Sequence, residues 1–143
     1  MSTHYLSPTF EAGKHLFLKN IQGPIINMNL IKLKKEADYS QYPDLQPSEK
    51  TSGWDAYFTY IRETEPFLKE SGGEIIFIGK GEQFLIGPEN EYWDICMLIK
   101  QKSVNDFFNF EKNEAYMKIV GHRIAAIEDS RLLPLEEILS YKK

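Results

Sequence analysis

The chain has 143 residues, 42% of them hydrophobic, with nine Phe, eight Tyr and two Trp. That length fits one domain, residues 1–143, and the composition can build a real core, which argues against intrinsic disorder. The net charge is -4, lysines and acids are interspersed, and the longest basic run (Lys32, Lys34, Lys35) adjoins Glu36, so a solvated strand end is expected there and no nucleic-acid partner.

No stretch approaches the ~20 apolar residues of a membrane span, and the N-terminus lacks a basic segment followed by an apolar run. A soluble, cytoplasmic protein with no membrane partner is therefore expected. The one cysteine, Cys96, rules out an intrachain disulfide. Its flanks, WDI and MLI, suit a buried small hydrophobe better than an activated thiol. The sequence contains no GxGxxG, GxxxxGK[ST] or HExxH motif.

Ser7-Pro8 reads as a helix opening, with Ser at the cap and Pro at the first position. Phe10, Lys14 and Phe17 follow at helical spacing, which predicts a helix over 8–19 inside an N-terminal extension, 1–22. Residues 20–24 read as a turn. Residues 25–34, IINMNLIKLK, read as a central strand covered on both faces. A polar loop, 36–51, follows, of a length that is often functional or mobile.

Ser52 can cap a second helix with Trp54, Tyr57, Phe58, Ile61 and Leu68 on one stripe; Pro66 should bend it and Gly72-Gly73 end it. Residues 74–87 read either as one bent strand or as a hairpin turning at GKGE. Glu91 to Lys100 is the clearest strand, with Trp93, Ile95, Met97 and Ile99 on one face. Ser103 and Asp106 form a capping-box-like start to a third helix, buried by Phe107, Phe108 and Phe110. A further helical piece starts at Asn113. Residues 131–135 read as a last short strand, and the terminal LEEILSYKK as a weak helix in a tail, 136–143.

The order of elements matches an α+β, ferredoxin-like split βαββαβ with an extra N-terminal helix. Helices would cover one sheet face. Several strands are apolar on the other face too, so pairing of two subunits through their sheets, a homodimer, is expected.

Four segments carry a resemblance: GPIINMNLIKLKKEADY (23–39), SGWDAYFTYIRETEPFLKESGGEIIFIGKG (52–81), YWDICMLIKQKSVNDFF (92–108) and EAYMKIVGHRIAAIEDSRLLPL (114–135). As a set they resemble the family called domain of unknown function 1330, in the dimeric α/β barrel superfamily, over most of residues 23–135. The resemblance implies ferredoxin-like subunits that dimerise through their sheets and enclose a barrel or cleft. That superfamily includes cofactor-free monooxygenases, muconolactone isomerase-like enzymes, haem-dependent chlorite dismutases and proteins without known activity. After Lys100 the chain reads QKS where the family often has YPS, which removes a Tyr-Pro pair and keeps Ser103 as a cap.

The dense polar run His122, Arg123, Glu128, Asp129, Ser130, Arg131 adjoins apolar residues, and charges held near a core need partners. Helical counting puts Arg123 on the stripe of Tyr116, Ile119 and Ile127. There it is either a structural ion-pair partner or a grip for an anionic or carbonyl group. His122 is a packing histidine or a general acid-base. Asp129 and Arg131, around Ser130, either lock a helix-to-strand turn or, for Asp129, orient His122 in a proton shuttle. The catalytic candidates are thus His122, Arg123 and Asp129, and the ligand-binding candidates Asn29, Trp54, Tyr57, Trp93, Asp94 and Arg131, with Asp94 placed to meet Arg131 or Arg123.

Three scattered histidines (His4, His15, His122) make no metal site. His122, beside an arginine, is not singled out as a haem ligand, so no cofactor is expected. Two functions fit. One is a small-molecule-binding protein or cofactor-free enzyme acting on a small carbonyl compound, isomerase- or monooxygenase-like. The other is a non-catalytic structural or binding protein with no active site.

Overall fold

Strand β1, Ile25–Leu33, sits inside a four-stranded antiparallel sheet because neighbours occupy both its edges. They are β3, Ile95–Gln101, and β4, Ile127–Leu135. Strand β2, Glu74–Lys80, pairs with the far side of β3, which gives the order β2-β3-β1-β4. Helix α2, Gly53–Glu70, joins β1 to β2. Helices α3, Val104–Glu111, α4, Glu114–Ile119, and α5, Gly121–Ala126, join β3 to β4. The computed structural model describes residues 4–139 and 141, and its topology is the ferredoxin-like split arrangement that the sequence predicts.

Period-two alternation divides the sheet. Ile25, Asn27, Asn29, Ile31 and Leu33 are buried on the helix side of β1. Ile95, Met97 and Gln101 continue that face on β3. Tyr57, Ala56, Tyr60 and Leu68 from α2, with Ala125 and Ala126 from α5, close the core over it. Residues Ile26, Met28, Leu30, Cys96 and Leu98 point the other way and stay half-buried, without a helix layer above them.

Helix α1, Phe10–Leu18, is the extra N-terminal helix, and Met1, Ser2 and Thr3 of the expected extension lie outside the described residues. Its cap is Thr9, not Ser7: the Thr9 hydroxyl accepts from the Ala12 N–H at 3.0 Å, and Pro8 precedes the helix. Ser52 caps α2 through the Asp55 N–H, and Ser103 caps α3 through the Asp106 N–H, both as predicted. Helix α2 runs on through Pro66. That residue is exposed, so water can reach the carbonyl that proline leaves without a donor. Gly53 allows the start of α2 to approach β1, since a Cβ there would lie 2.0 Å from the Lys34 carbonyl oxygen.

Four expectations need correction. Strand β2 ends at Lys80, and the connection to β3 turns far beyond GKGE, with a further bridge between Gln83 and Tyr92. The helical piece after Asn113 breaks into α4 and α5 around Val120. The last strand begins at Ile127, so Asp129, Ser130 and Arg131 are strand residues paired with β1, not a turn. Residues 136–139 form no helix, and Ser140, Lys142 and Lys143 lie outside the described residues. The loop at 36–51 is tied at its ends: Ala37 N–H donates to the Thr51 carbonyl, and Asp38 N–H to that of Ala125 in α5.

Candidate functional site

Between the inner sheet face and the helices lies a cavity of about 950 Å³. Its floor carries Asn27, Asn29, Met97, Ile99 and Gln101, because the odd positions of β1 and β3 all point that way. Its roof carries Tyr57, Tyr60 and Thr64 from α2, Glu111 from α3, Tyr116 from α4 and Arg123 from α5. Tyr57, Tyr60 and Thr64 share a helix face at spacings of three and four, and all three are buried. Residues Tyr5 to Thr9 and helix α1 border the mouth.

Arg123 is half-buried, and its Nη1 donates to the Leu6 carbonyl at 2.6 Å. No carboxylate among the described residues forms an ion pair with it. Its charge reaches the surrounding acids. Burial pushes the Tyr57, Tyr60 and Tyr116 phenols up, and Arg123 opposes each rise. The Tyr60 and Tyr116 hydroxyls meet at 2.9 Å. Glu111 is also raised, by burial, with Arg123 again pulling the other way. A carboxyl raised toward neutrality beside an arginine can exchange a proton with a bound molecule while the guanidinium holds a developing negative charge.

Two amides on the floor are short of partners. Asn27 is 2% exposed and Gln101 is 1% exposed. The Asn27 Oδ1 and Gln101 Oε1 atoms accept no hydrogen bond among the described residues. Asn29 Nδ2 donates to the Asn27 backbone carbonyl at 3.3 Å. Buried acceptors left in this state are costly and call for an explanation.

Of the residues singled out in the sequence, Asn29, Tyr57, Arg123 and Arg131 border this cavity. The other five do not. His122 is buried on the far side of α5, where the Tyr39 hydroxyl meets its Nδ1 at 2.7 Å and Glu63 lies 3.2 Å from its Nε2. Trp54 stacks on Phe58 with ring centroids 5.8 Å apart. Trp93 donates its Nε1 to Glu91 at 3.1 Å. Asp94 accepts from the Leu33 N–H at 2.7 Å and so closes one end of the β1–β3 ladder. Asp129 accepts from the Tyr5 and Ser130 N–H groups and from Arg131, so it orients the N-terminal segment and not His122. Burial pushes the Asp129 carboxyl up, but those hydrogen bonds outweigh it and hold it below its ordinary value.

Arg131 is held on several sides. Its guanidinium carbon lies 4.8 Å from the Tyr5 ring centre and 5.0 Å from that of Trp93, and its Nη1 donates to Asp129 at 2.7 Å. Asn27, Tyr60, Thr64, Gln101, Glu111 and Tyr116 were not among the sequence candidates. For Asn27 a signal existed, since two asparagines two apart in an apolar strand must share one face. No three His, Cys, Asp or Glu side chains come together as a metal ion would need among the described residues. No helix among them is long and apolar enough to cross a membrane.

No protein-family model matches the chain, and no curated protein matches it. Solved structures do. The RPA0582 protein of unknown function from Rhodopseudomonas palustris is 34% identical, with a TM-score of 0.83, covering 95% of this chain and 98% of that one. Its methylated form matches at 33% identity and a TM-score of 0.84, over 96% of this chain and 97% of that one. A DABB-family protein with a ferredoxin-like fold from Mesorhizobium loti matches at 12% identity and a TM-score of 0.44, over 82% of this chain and 99% of that one. The chain belongs to the family of the Rhodopseudomonas palustris RPA0582 protein.

Proposed function

We propose that this chain is a small-molecule-binding protein whose ligand lies between sheet and helices, and that it acts on a small carbonyl compound without a cofactor. The observation that carries the reading is a cavity of about 950 Å³, bordered by an arginine without a carboxylate partner among the described residues. Ligand sites are concave and mostly apolar, with a few placed polar groups. Arg123, Glu111 and the three tyrosines are such groups.

In this reading the reaction is an isomerisation through an enolate. The Glu111 carboxylate takes a proton from a carbon that lies between the carbonyl and a C=C bond; the electron pair of that C–H bond forms a new C=C bond as the carbonyl π pair moves onto the oxygen, which gives a dienolate. Arg123 stabilises the oxyanion, and protonated Glu111 returns the proton at the far carbon of the dienolate as the carbonyl re-forms, so the double bond shifts and the Glu111 carboxylate is restored. Glu111 replaces His122 as proton carrier because it borders the cavity, whereas His122 faces Tyr39 and Glu63.

The reading extends to assembly. The open sheet face presents Ile26, Met28, Leu30, Cys96 and Leu98, with Phe77, Leu133 and Leu135 at 54%, 53% and 37% exposure. A second copy laid sheet to sheet would cover this face, as in the dimeric α/β barrels of the domain of unknown function 1330 family, to which we assign the chain. A single cytoplasmic domain completes the proposal.

The test is thermal unfolding with a library of small carbonyl and carboxylate metabolites, followed by NMR mapping of any hit. A raised melting temperature with shifts at Arg123, Glu111 and Tyr60 supports the site. A library without hits, or hits that map outside the cavity, would overturn it.

A further inference from the structure

Residues 5–8 border the cavity and belong to no helix or strand. Among the described residues, no backbone-to-backbone hydrogen bond joins them to another part of the chain. Side chains hold them instead. The Asp129 carboxylate accepts from the Tyr5 N–H at 2.8 Å, the Ser130 hydroxyl donates to the Tyr5 carbonyl, and Arg123 donates to the Leu6 carbonyl at 2.6 Å. The Tyr5 ring centre also lies 4.8 Å from the Arg131 guanidinium carbon. Leu6 packs on the core, but Tyr5, Ser7 and Pro8 are exposed. A segment with so little buried surface and no ladder opens at low cost. Helix α1 is anchored separately, since Leu16 clusters with Ile25, Val104 and Phe107.

One of the three hydrogen bonds differs from the others. Asp129 and Ser130 act from β4, whereas Arg123 borders the cavity and carries a full charge. Its partner is a neutral peptide carbonyl, and no carboxylate among the described residues forms an ion pair with it. A carboxylate or enolate oxygen suits a guanidinium better, because both partners are then ionised and the planar fork can be filled at two points. The Leu6 carbonyl thus takes a donor that the oxyanion of the proposed isomerisation would use.

We propose that residues 5–8 are a latch on the cavity: the Leu6 carbonyl and a ligand oxygen compete for the Arg123 guanidinium, so the segment closes the mouth without ligand and lifts from it when ligand binds. Ligand affinity is then reduced by the closed fraction, and a change that weakens the closed latch raises it. The latch rests on the reading of the cavity as a small-molecule site.

The test uses phenylglyoxal, a small aromatic dicarbonyl compound that reacts with guanidinium groups, on the full chain. Peptide mass mapping follows Arg123, with the exposed Arg62 as the internal reference. In wild type Arg123 should react more slowly than Arg62. Ser130→Ala removes one tether of the segment and leaves the Leu6 bond in place. It should speed the Arg123 reaction about fivefold, the share that one ordinary hydrogen bond holds, with Arg62 unchanged. Tyr5→Ala, which removes only the exposed ring from Arg131, should act in the same direction and serves should Ser130→Ala fail to fold. The Arg123 adduct stands in for a bound ligand, so amide exchange at residues 5–9 should be faster in modified than in unmodified protein, with β1 and β3 unaltered. Arg123 reacting as fast as Arg62 in wild type, an unchanged rate in both variants, or an adduct whose residues 5–9 stay protected would each overturn the latch. Any of these would leave the cavity reading standing, which falls only with a metabolite library without hits in the cavity.

Discussion

Arg123 and Leu6 are 117 positions apart and are joined by a 2.6 Å hydrogen bond from guanidinium to carbonyl. The bond ties α5 to the segment that borders the cavity mouth, so one side chain both closes the fold and borders the cavity. Lysine at this position keeps the charge but loses the planar fork. Arg123→Lys should therefore cost about 1–3 kcal/mol, as for other hydrogen bonds made by charged groups, and should speed amide exchange at residues 5–9. Denaturant unfolding and hydrogen exchange check both effects. Unchanged exchange in that segment would show that the Leu6 bond does not hold it.

The open sheet face makes a prediction about assembly. Leu133 is opposite Met28, at the β4 end of an outer-face row that continues through Leu98 to Phe77. Lysine there would place an unpaired charge within the proposed interface, and such charges cost about 3 kcal/mol or more when desolvated. Leu133→Lys should weaken dimerisation by about a hundredfold and leave the folded monomer intact. Sedimentation equilibrium measures it. A wild-type protein that stays monomeric at micromolar concentration would sink the sheet-to-sheet dimer.

Strands β1 and β3 and the caps of α2 and α3 were legible in the sequence because each depends on local chemistry. Ser52 and Ser103 cap their helices with hydroxyls three residues before an acid, and the Glu91–Lys100 segment alternates clearly enough to place Met97 and Ile99 on one face. The cavity was less legible because it depends on register. Asn27 and Gln101 become neighbours only through the pairing of β1 with β3, and nothing near Gln101 announces that partner. The polar run at 122–131 misled for a related reason. Consecutive residues on a short helix point in different directions, so Arg123 faces the cavity and His122 faces away from it. Asp129 and Arg131, two apart on a strand, share a face and bind each other.

Tyr39 and His122 supply a prediction that separates scaffold from site. The Tyr39 hydroxyl and His122 Nδ1 are 2.7 Å apart in a buried setting, and neither residue borders the cavity. With Glu63 beside Nε2, the tautomer that puts the proton there lets Nδ1 accept from the tyrosine. Tyr39→Phe leaves that nitrogen unsatisfied at a cost of about 1–3 kcal/mol. The melting temperature should fall, and the affinity for any cavity ligand should hold. Lost affinity at unchanged stability would restore His122 as a candidate for the chemistry.

Glu111 makes the chain's stability depend on pH with a definite sign. Burial raises its carboxyl above the ordinary 4.5, and Arg123 only partly offsets the rise. The folded state thus holds this proton more tightly than the unfolded chain does. The stability gained is fully present below 4.5 and is lost as pH climbs through the raised folded value. Asp129 works in the opposite sense, since its carboxyl is lowered from 3.8 and its contribution is complete above that pH. The two windows do not overlap. Glu111→Gln, which cannot ionise, should therefore show a smaller decline than wild type above 4.5 and gain on it until the pH has passed the raised folded value. Urea unfolding at half-unit steps from pH 4 to pH 8 would trace the difference. Parallel curves across that range would mean that Glu111 titrates alike in both states and would remove it as the proton carrier of the proposed isomerisation.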